Sequence, residues 1–352
     1  MSSVEKNNTL SMYRQRLSVL AWSLVVLTWA IAMLGAYVRL TDAGLGCPDW
    51  PGCYGYWYVP NHPDQLDAAA QLYPHAPIES HKAWKEMAHR YAVSVLGLGI
   101  LILFGALEWC ARRYKKRWMS LWWEVLIIVW LVAQALFGMW TVTLKLMPII
   151  VTGHLIGGVL LLVWLVRIAM YLSSESPEKN NNVVVSAKTT LPIILVWFLV
   201  LFQIFLGGWV STNYAAGACG NSFPLCRESL IPKGILWEPA LNLGHDLGYV
   251  SSGVPFPAGG LVAIHWMHRL GALIVAIAVI ALALYLIKNK HRKCALLLLA
   301  VLSLQITLGF FNIYANLPLF VAVAHNGGAT LLLAILTGLW AYSEQSRSVR
   351  IA

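Results

Sequence analysis

Apolar runs of about 20 residues, the length a helix needs to cross the hydrocarbon core of a bilayer, recur eight times along the chain. They lie at roughly 18 to 40, 84 to 107, 121 to 143, 149 to 171, 190 to 211, 262 to 287, 295 to 315 and 319 to 342. The pattern predicts an all-α integral membrane protein with eight transmembrane helices and excludes a soluble enzyme carrying one anchor. Composition agrees: 59% of the 352 residues are hydrophobic and 11% are charged. The first run follows a polar stretch with Arg14 and Arg16 and so imitates a secretory signal, but it is too long for one and seven spans follow; it is expected to be retained.

Charge is uneven along the joints between these runs. The N-terminal segment (Lys6, Arg14, Arg16), the second-to-third link (Arg112, Arg113, Lys115, Lys116, Arg117), the stretch through Arg167, Lys179 and Lys188, the sixth-to-seventh link (Lys288, Lys290, Arg292, Lys293) and the tail (Arg347, Arg350) carry 17 of the 25 Lys and Arg residues. With eight spans these segments share one side, and the positive-inside rule makes that side, with both termini, cytoplasmic. This placement absorbs most of the net charge of +10, and no basic stripe or soluble module remains to suit nucleic acid. Two long loops, 41 to 83 and 212 to 261, fall on the outer side, so the chemistry is expected to face outward. Cys47, Cys53, Cys219 and Cys226 lie in those loops, where an oxidising compartment preserves disulfides. Proximity pairs Cys47 with Cys53 and Cys219 with Cys226, leaving Cys110 and Cys294 as free cytoplasmic thiols.

The halves repeat. GAYV at Gly35 to Val38 matches GGWV at Gly207 to Val210, and Cys47 matches Cys219, both at an offset of 172. Trp50-Pro51 with Cys53 matches Phe223-Pro224 with Cys226 at 173; Gln134, Gly138, Pro148 and His154 match Gln305, Gly309, Pro318 and His325 at 170 or 171; His89-Arg90 matches His268-Arg269 at 179. Four spans separate equivalent points, so the expected architecture is two tandem four-helix bundles related by a pseudo-two-fold axis along the membrane normal. Their expected limits are 1–172 and 190–352, with a cytoplasmic linker at 173–189. A Gln-x-x-x-Gly pattern at Gln134/Gly138, Gln203/Gly207 and Gln305/Gly309 reads as close helix packing, where an amide can also bond across the interface.

Of ten histidines, five lie within spans: His89, His154, His265, His268 and His325. Every even-numbered span has at least one and no odd-numbered span has any. Ionisable groups in a bilayer mark a cofactor, substrate or proton path. His89, His154, His268 and His325 each stand five or six residues inside the outer end of an apolar run, which places them in one layer. Two helices presenting imidazoles at one depth can clamp a haem iron from opposite faces, whereas no third and fourth ligand stand at zinc-site spacing. Glu86 precedes His89 by three residues as His265 precedes His268, so each shares its neighbour's helical face. His265 is thus a second candidate ligand; His268 is preferred because it aligns with His89. Arg39, Arg90 and Arg269 are candidate contacts for haem propionates, with snorkelling as the competing account.

The segment GAYVRLTDAGLGCPDWPGCYG at Gly35 to Gly55, EMAHR at Glu86 to Arg90, the pair His268-Arg269 and the spans of His154 and His325 together resemble the haem A synthase family of cytochrome oxidase assembly enzymes (Cox15/CtaA type). The resemblance covers all eight spans. It implies a bacterial-type inner (cell) membrane enzyme that oxidises the C8 methyl of haem O to a formyl group. It further implies haem b as cofactor with His268 and His325 as axial ligands, haem O as substrate between His89 and His154, and Glu86 in the catalytic role. The implied partners are haem O synthase and an electron donor, and a homo-oligomer is compatible with the family. Cys47/Cys53 is read either as a redox-active pair or as a loop staple. Rival readings from the same residues are a bis-histidine haem b quinol or ferric reductase, which would make no formyl product, and a membrane thiol-disulfide oxidoreductase, which would need no layered histidines. The duplication also suits a transporter, but neither half has a helix broken by Gly or Pro at the midplane.

Overall fold

The computed structural model describes residues 3–115, 117–118, 120–174 and 187–351. Lys116, Lys179 and most of the linker expected at 173–189 lie outside these residues, and the side chains of Lys6, Lys188, Arg347 and Arg350 are likewise outside the description. The order of helices is α1 (Ser3–Leu40), α2 (Pro63–Leu72), α3 (Ser80–Tyr114), α4 (Leu121–Thr143), α5 (Pro148–Ser173), α6 (Ala187–Thr212), α7 (Trp237–Leu241), α8 (Ala258–Lys288), α9 (Arg292–Tyr314) and α10 (Leu319–Ile351). All but α2 and α7 are long and apolar enough to cross a membrane, which gives the eight expected spans and a multi-pass membrane protein. The short α2 and α7 belong to the two long loops.

Helix ends depart from the apolar runs where polar turns remain helical. α1 begins near the N-terminus rather than at 18, α3 begins at Ser80 rather than 84, and α8 begins at Ala258 rather than 262. A helix carries on through a polar turn because its backbone bonds are internal; only the lipid boundary follows hydropathy. The turns from α4 to α5 and from α9 to α10 are alike. Lys145-Leu146 and Asn316-Leu317 take positive φ, which ends one helix, and Pro148 and Pro318 introduce the next with a ring that tolerates a helix start.

α1 packs against α3 and α5, and α4 against α5; α6 packs against α8 and α10, and α9 against α8 and α10. Contacts of α1 and α5 with α10, and of α5 with α6, join these sets. One buried apolar cluster centres on Ile100, Leu103, Leu162 and Leu165, another on Ile193, Val279, Leu298 and Leu333. α5 is shared, since its Val159 and Val163 belong to the second cluster. α4 and α9 are the least covered spans and expose Trp122, Trp123, Leu296 and Leu297, a surface that lipid suits. Polar ties close both ends. Arg14 donates to the Tyr171 carbonyl (2.8 Å) and Arg167 pairs with Glu344 (2.6 Å), while at the other end Arg39 donates to the Ser211 carbonyl (2.8 Å) and Tyr214 Oη lies 2.7 Å from Asp42 Oδ1.

Candidate functional site: paired histidines beneath two disulfide loops

Each layered histidine rests on a glycine of a neighbouring span. A Cβ added at Gly35 (α1) would lie 3.1 Å from His89 Nε2, at Gly207 (α6) 3.1 Å from His268 Cε1, at Gly309 (α9) 3.1 Å from His325 Cε1, and at Gly138 (α4) 3.5 Å from His154 Cε1. These glycines lie on the odd-numbered spans and the histidines on the even-numbered ones. The absence of a side chain therefore lets each ring lie directly on the adjacent backbone. His89 is within electrostatic reach of His154, and His268 of His325. The four residues thus form two pairs, one from α3 and α5 and one from α8 and α10, and each ring is half-buried.

The two long loops fold alike above these pairs. Cys47–Cys53 and Cys219–Cys226 are disulfide-bonded, and Cys110 and Cys294 are free. In each loop the second cysteine bridges to a residue three further on, Cys53 to Tyr56 and Cys226 to Ser229, and the peptides Trp50-Pro51 and Phe223-Pro224 are both cis. Asp49 caps the first loop, accepting from the N–H groups of Tyr54 (2.6 Å) and Gly55 (2.8 Å). Burial, reinforced by nearby Glu79, pushes the Tyr54 phenol above its ordinary pKa, so it stays a donor, here to the Pro77 carbonyl at 3.0 Å.

Glu86 and His265 have the same position and the same neighbours. Glu86 is buried; it pairs with Arg90 and accepts the Cys47 N–H at 2.9 Å. His265 is buried too, with the Cys219 N–H 3.3 Å from its Nδ1 and Arg269 Nε 3.2 Å from its Nε2. A neutral imidazole has one acceptor nitrogen and so satisfies one of these donors at a time; a carboxylate satisfies both. The second candidate ligand of the sixth span is therefore engaged with the loop, whereas His268 sits on its glycine and faces His325.

The arginines also serve the loops. Arg90 donates to the carbonyls of Asp49 (2.9 Å), Pro51 (3.3 Å) and Gly52, and Arg269 to those of Ser222 (3.2 Å) and Gly220 (2.9 Å). Arg39 lies over the Tyr214 ring at 4.1 Å, besides its bond to Ser211. Sequence reasoning had no means to find these roles, because backbone carbonyls leave no residue signature. It also read Gln-x-x-x-Gly as helix packing with an amide able to bond across the interface, without linking either residue to a histidine. The glycines do pack, but against the histidine rings, and Gln203 and Gln305 reach the rings of His268 and His325.

The donor set suits a macrocycle held between two imidazoles. Beyond the glycine cradles, His154 Nδ1, His325 Nδ1, Gln203 Oε1 and Gln305 Oε1 are buried without a partner. Among the described residues no three His, Cys, Asp or Glu converge as a bare metal ion requires.

These features define a class: multi-pass membrane proteins with paired histidines on the spanning helices beneath disulfide-closed loops. Comparison with known proteins narrows it. The chain belongs to the COX15-CtaA family, described as "Cytochrome oxidase assembly protein", whose family model it matches over residues 18–337. It is 39% identical to "Heme A synthase" of Shewanella oneidensis over 345 residues, covering 94% of this chain and 99% of that protein. Similarity to "Heme A synthase" of Allorhizobium ampelinum (26% identity; 91% and 89% covered) and of Sphingopyxis alaskensis (26%; 89% and 88%) is lower but also nearly full-length.

Proposed function

We propose that this chain is a haem A synthase that oxidises the C8 methyl of haem O to a formyl group. Residues 1–172 form the substrate unit, 190–352 the cofactor unit and 173–189 the linker between them. The carrying observation is that a buried carboxylate, Glu86, stands beside the His89/His154 pair, while the equivalent place beside His268/His325 is taken by an imidazole, His265. Oxidation of a methyl group must move protons, and a positioned carboxyl is suited to that. His89 and His154 hold the substrate haem O; His268 and His325 hold haem b, which supplies a one-electron redox centre when bound.

The chain's own groups then divide the work. Glu86 keeps lone pairs beyond those given to Arg90 and the Cys47 N–H, so its carboxylate takes up a proton released at the substrate edge. The two loops cover the pairs on the outer side and limit water. Arg39, Arg90 and Arg269 are the proposed propionate contacts. Arg39 and Arg90 are better placed than Arg269, because their Nε–H groups have no hydrogen-bond partner among the described residues whereas Arg269 Nε lies 3.2 Å from His265 Nε2. Charge placement puts both termini on the cytoplasmic side, and the family resemblance implies an inner membrane of bacterial type and haem O synthase as the source of haem O. Co-expression with a haem O source, followed by chromatography and mass analysis of extracted haems, tests the reading. Haem A is the expected product. Bound haem with haem O unchanged would favour the quinol or ferric reductase instead.

A further inference from the structure

The two histidine pairs differ in how their rings are held. On α4, α6 and α9 a glutamine stands one turn before the glycine seat and packs over a second glycine, three residues after the histidine on the facing helix. A Cβ added at Gly157 would lie 1.7 Å from Gln134 Nε2, at Gly271 2.2 Å from Gln203 Oε1 and at Gly328 2.3 Å from Gln305 Oε1. Only glycine leaves room for these amides. On α1 the corresponding residue is Ile31, and three residues after His89 stands Ala92; both pack in the apolar cluster.

Ring contacts divide the sites two against two. Gln203 Nε2 lies 2.9 Å from His268 Nδ1 and 2.9 Å from the His268 carbonyl, and Gln305 Nε2 lies 3.4 Å from His325 Nε2. Among the described residues no amide bonds the ring of His154, whose Nδ1 is buried without a partner, or that of His89. One pair therefore has an amide bonded to each ring, whereas in the other Gln134 stands at the equivalent place beside His154 without bonding its ring and His89 has no glutamine at that place.

We infer that Gln203 and Gln305 are positioning residues, Gln203 holding the His268 ring to its own backbone and Gln305 fixing one ring nitrogen of His325 and leaving the other for iron, making this the pair that keeps its haem while His89/His154 exchanges one. The inference rests on the proposed assignment of haem b to His268 and His325. An amide presents either its NH2 or its oxygen by a half-turn. Both Oε1 atoms are buried without a donor, and the ring N–H is the donor at hand. Turned that way, Gln305 Oε1 holds the proton on His325 Nε2 and frees the lone pair of Nδ1. That nitrogen is itself buried without a partner. Gln203 keeps its present sense, because its Nε2 also donates to the His268 carbonyl, and it holds His268 through that carbonyl and Nδ1 together. A metal-bound imidazole whose other N–H is held by an acceptor is oriented and made more basic. A pair without such acceptors binds less rigidly, as a substrate that must leave requires.

The test uses the full chain purified in detergent, reading low-spin haem content, electron paramagnetic resonance g-values and reduction potential. Gln203→Leu and Gln305→Leu should weaken haem b retention about 10- to 100-fold, the usual effect of losing an outer-shell partner, and shift the g-values of what remains. Gln305→Glu keeps size and acceptor; it should retain haem b and lower its potential. Gln134→Leu should leave the haem b signal as in the wild type. Leucine variants with wild-type haem content, g-values and potential would overturn the inference, as would a Gln305→Glu variant that loses haem as the leucine variants do. If the leucine variants do not accumulate, the glutamate variant decides through its potential. A wild-type signal that survives His268→Ala would instead overturn the haem b assignment, and this inference with it.

Discussion

Glu86 and His265 are a natural comparison within one chain. Both are buried one turn from an arginine, both face the backbone N–H of the first cysteine in a disulfide loop, and both arginines cap carbonyls of that loop. The half with His265 shows that the loop forms without an acid. A carboxylate in the other half therefore does more than the loop requires, and it carries charge next to the histidine pair without amide contacts. The duplication acts as an internal control: conserved geometry isolates the place where the chemistry changed.

The comparison breaks most completely if the histidine pairs prove interchangeable. His268→Ala or His325→Ala should remove the stable low-spin haem, whereas His89→Ala or His154→Ala should leave it and abolish conversion of haem O. Absorbance spectra of the purified variants check the first effect and extracted haems the second. A full complement of six-coordinate haem b in His268→Ala would reverse the assignment of the two halves.

Next in size is the acid itself. Glu86→Gln keeps bulk and hydrogen bonding but loses the ionisable proton, and should slow conversion 10²- to 10⁴-fold, about 3 to 5 kcal/mol of barrier, with normal haem b content. Glu86→His recreates the other half's arrangement and should give a folded protein with an equally large loss, while His265→Gln should leave conversion within a few-fold of the parent. An unchanged haem A yield in Glu86→Gln would reduce Glu86 to a loop anchor like His265.

A smaller effect concerns the loops. Thiol labelling without reductant should modify only Cys110 and Cys294, since the other four are paired. Cys47→Ser should lower activity more than Cys219→Ser if the first pair serves the acid it contacts; equal, small losses would make both disulfides staples of the same kind.

How far these features were legible depends on what kind of signal each leaves. The eight spans were, because lipid forces apolar residues into runs of fixed length. The histidine pairs were, because duplication repeats them. Helix ends were not: the first turns of α3 and α8, at Ser80 and Ala258, are helical outside the apolar runs. The tasks of Arg90 and Arg269 were hidden because their partners are main-chain carbonyls. Gln203 and Gly207 were visible as a motif but read as packing, since a glycine beside a helix and a glycine beneath an imidazole look the same in sequence.

The smallest expected effect lies where the two halves meet. Arg39 and Asp42 of the first loop touch Ser211 and Tyr214, the residues 172 positions on, so equivalent points of the repeat contact each other. Tyr214→Phe keeps the ring under the Arg39 guanidinium, at 4.1 Å, and removes only the bond to Asp42. A hydrogen bond to a carboxylate contributes about 1.5 to 3 kcal/mol where it is shielded from water, and the exposure of Tyr214 and of Asp42 brings this one below that range. Burial, and then the Asp42 bond, raise the phenol above its ordinary pKa. The contribution is therefore fully present below about pH 10, where an ordinary tyrosine ionises, and is lost only as pH rises through the raised value. Thermal unfolding in detergent at neutral pH should show a drop of about 0.5 to 1 kcal/mol for Tyr214→Phe, only the small further drop of the exposed Arg39–Asp42 pair when Asp42→Asn is added, and the same gap between parent and variant up to pH 9. A loss several times larger would mean that this contact, rather than the apolar packing of α1 and α5 against α10, holds the two halves together.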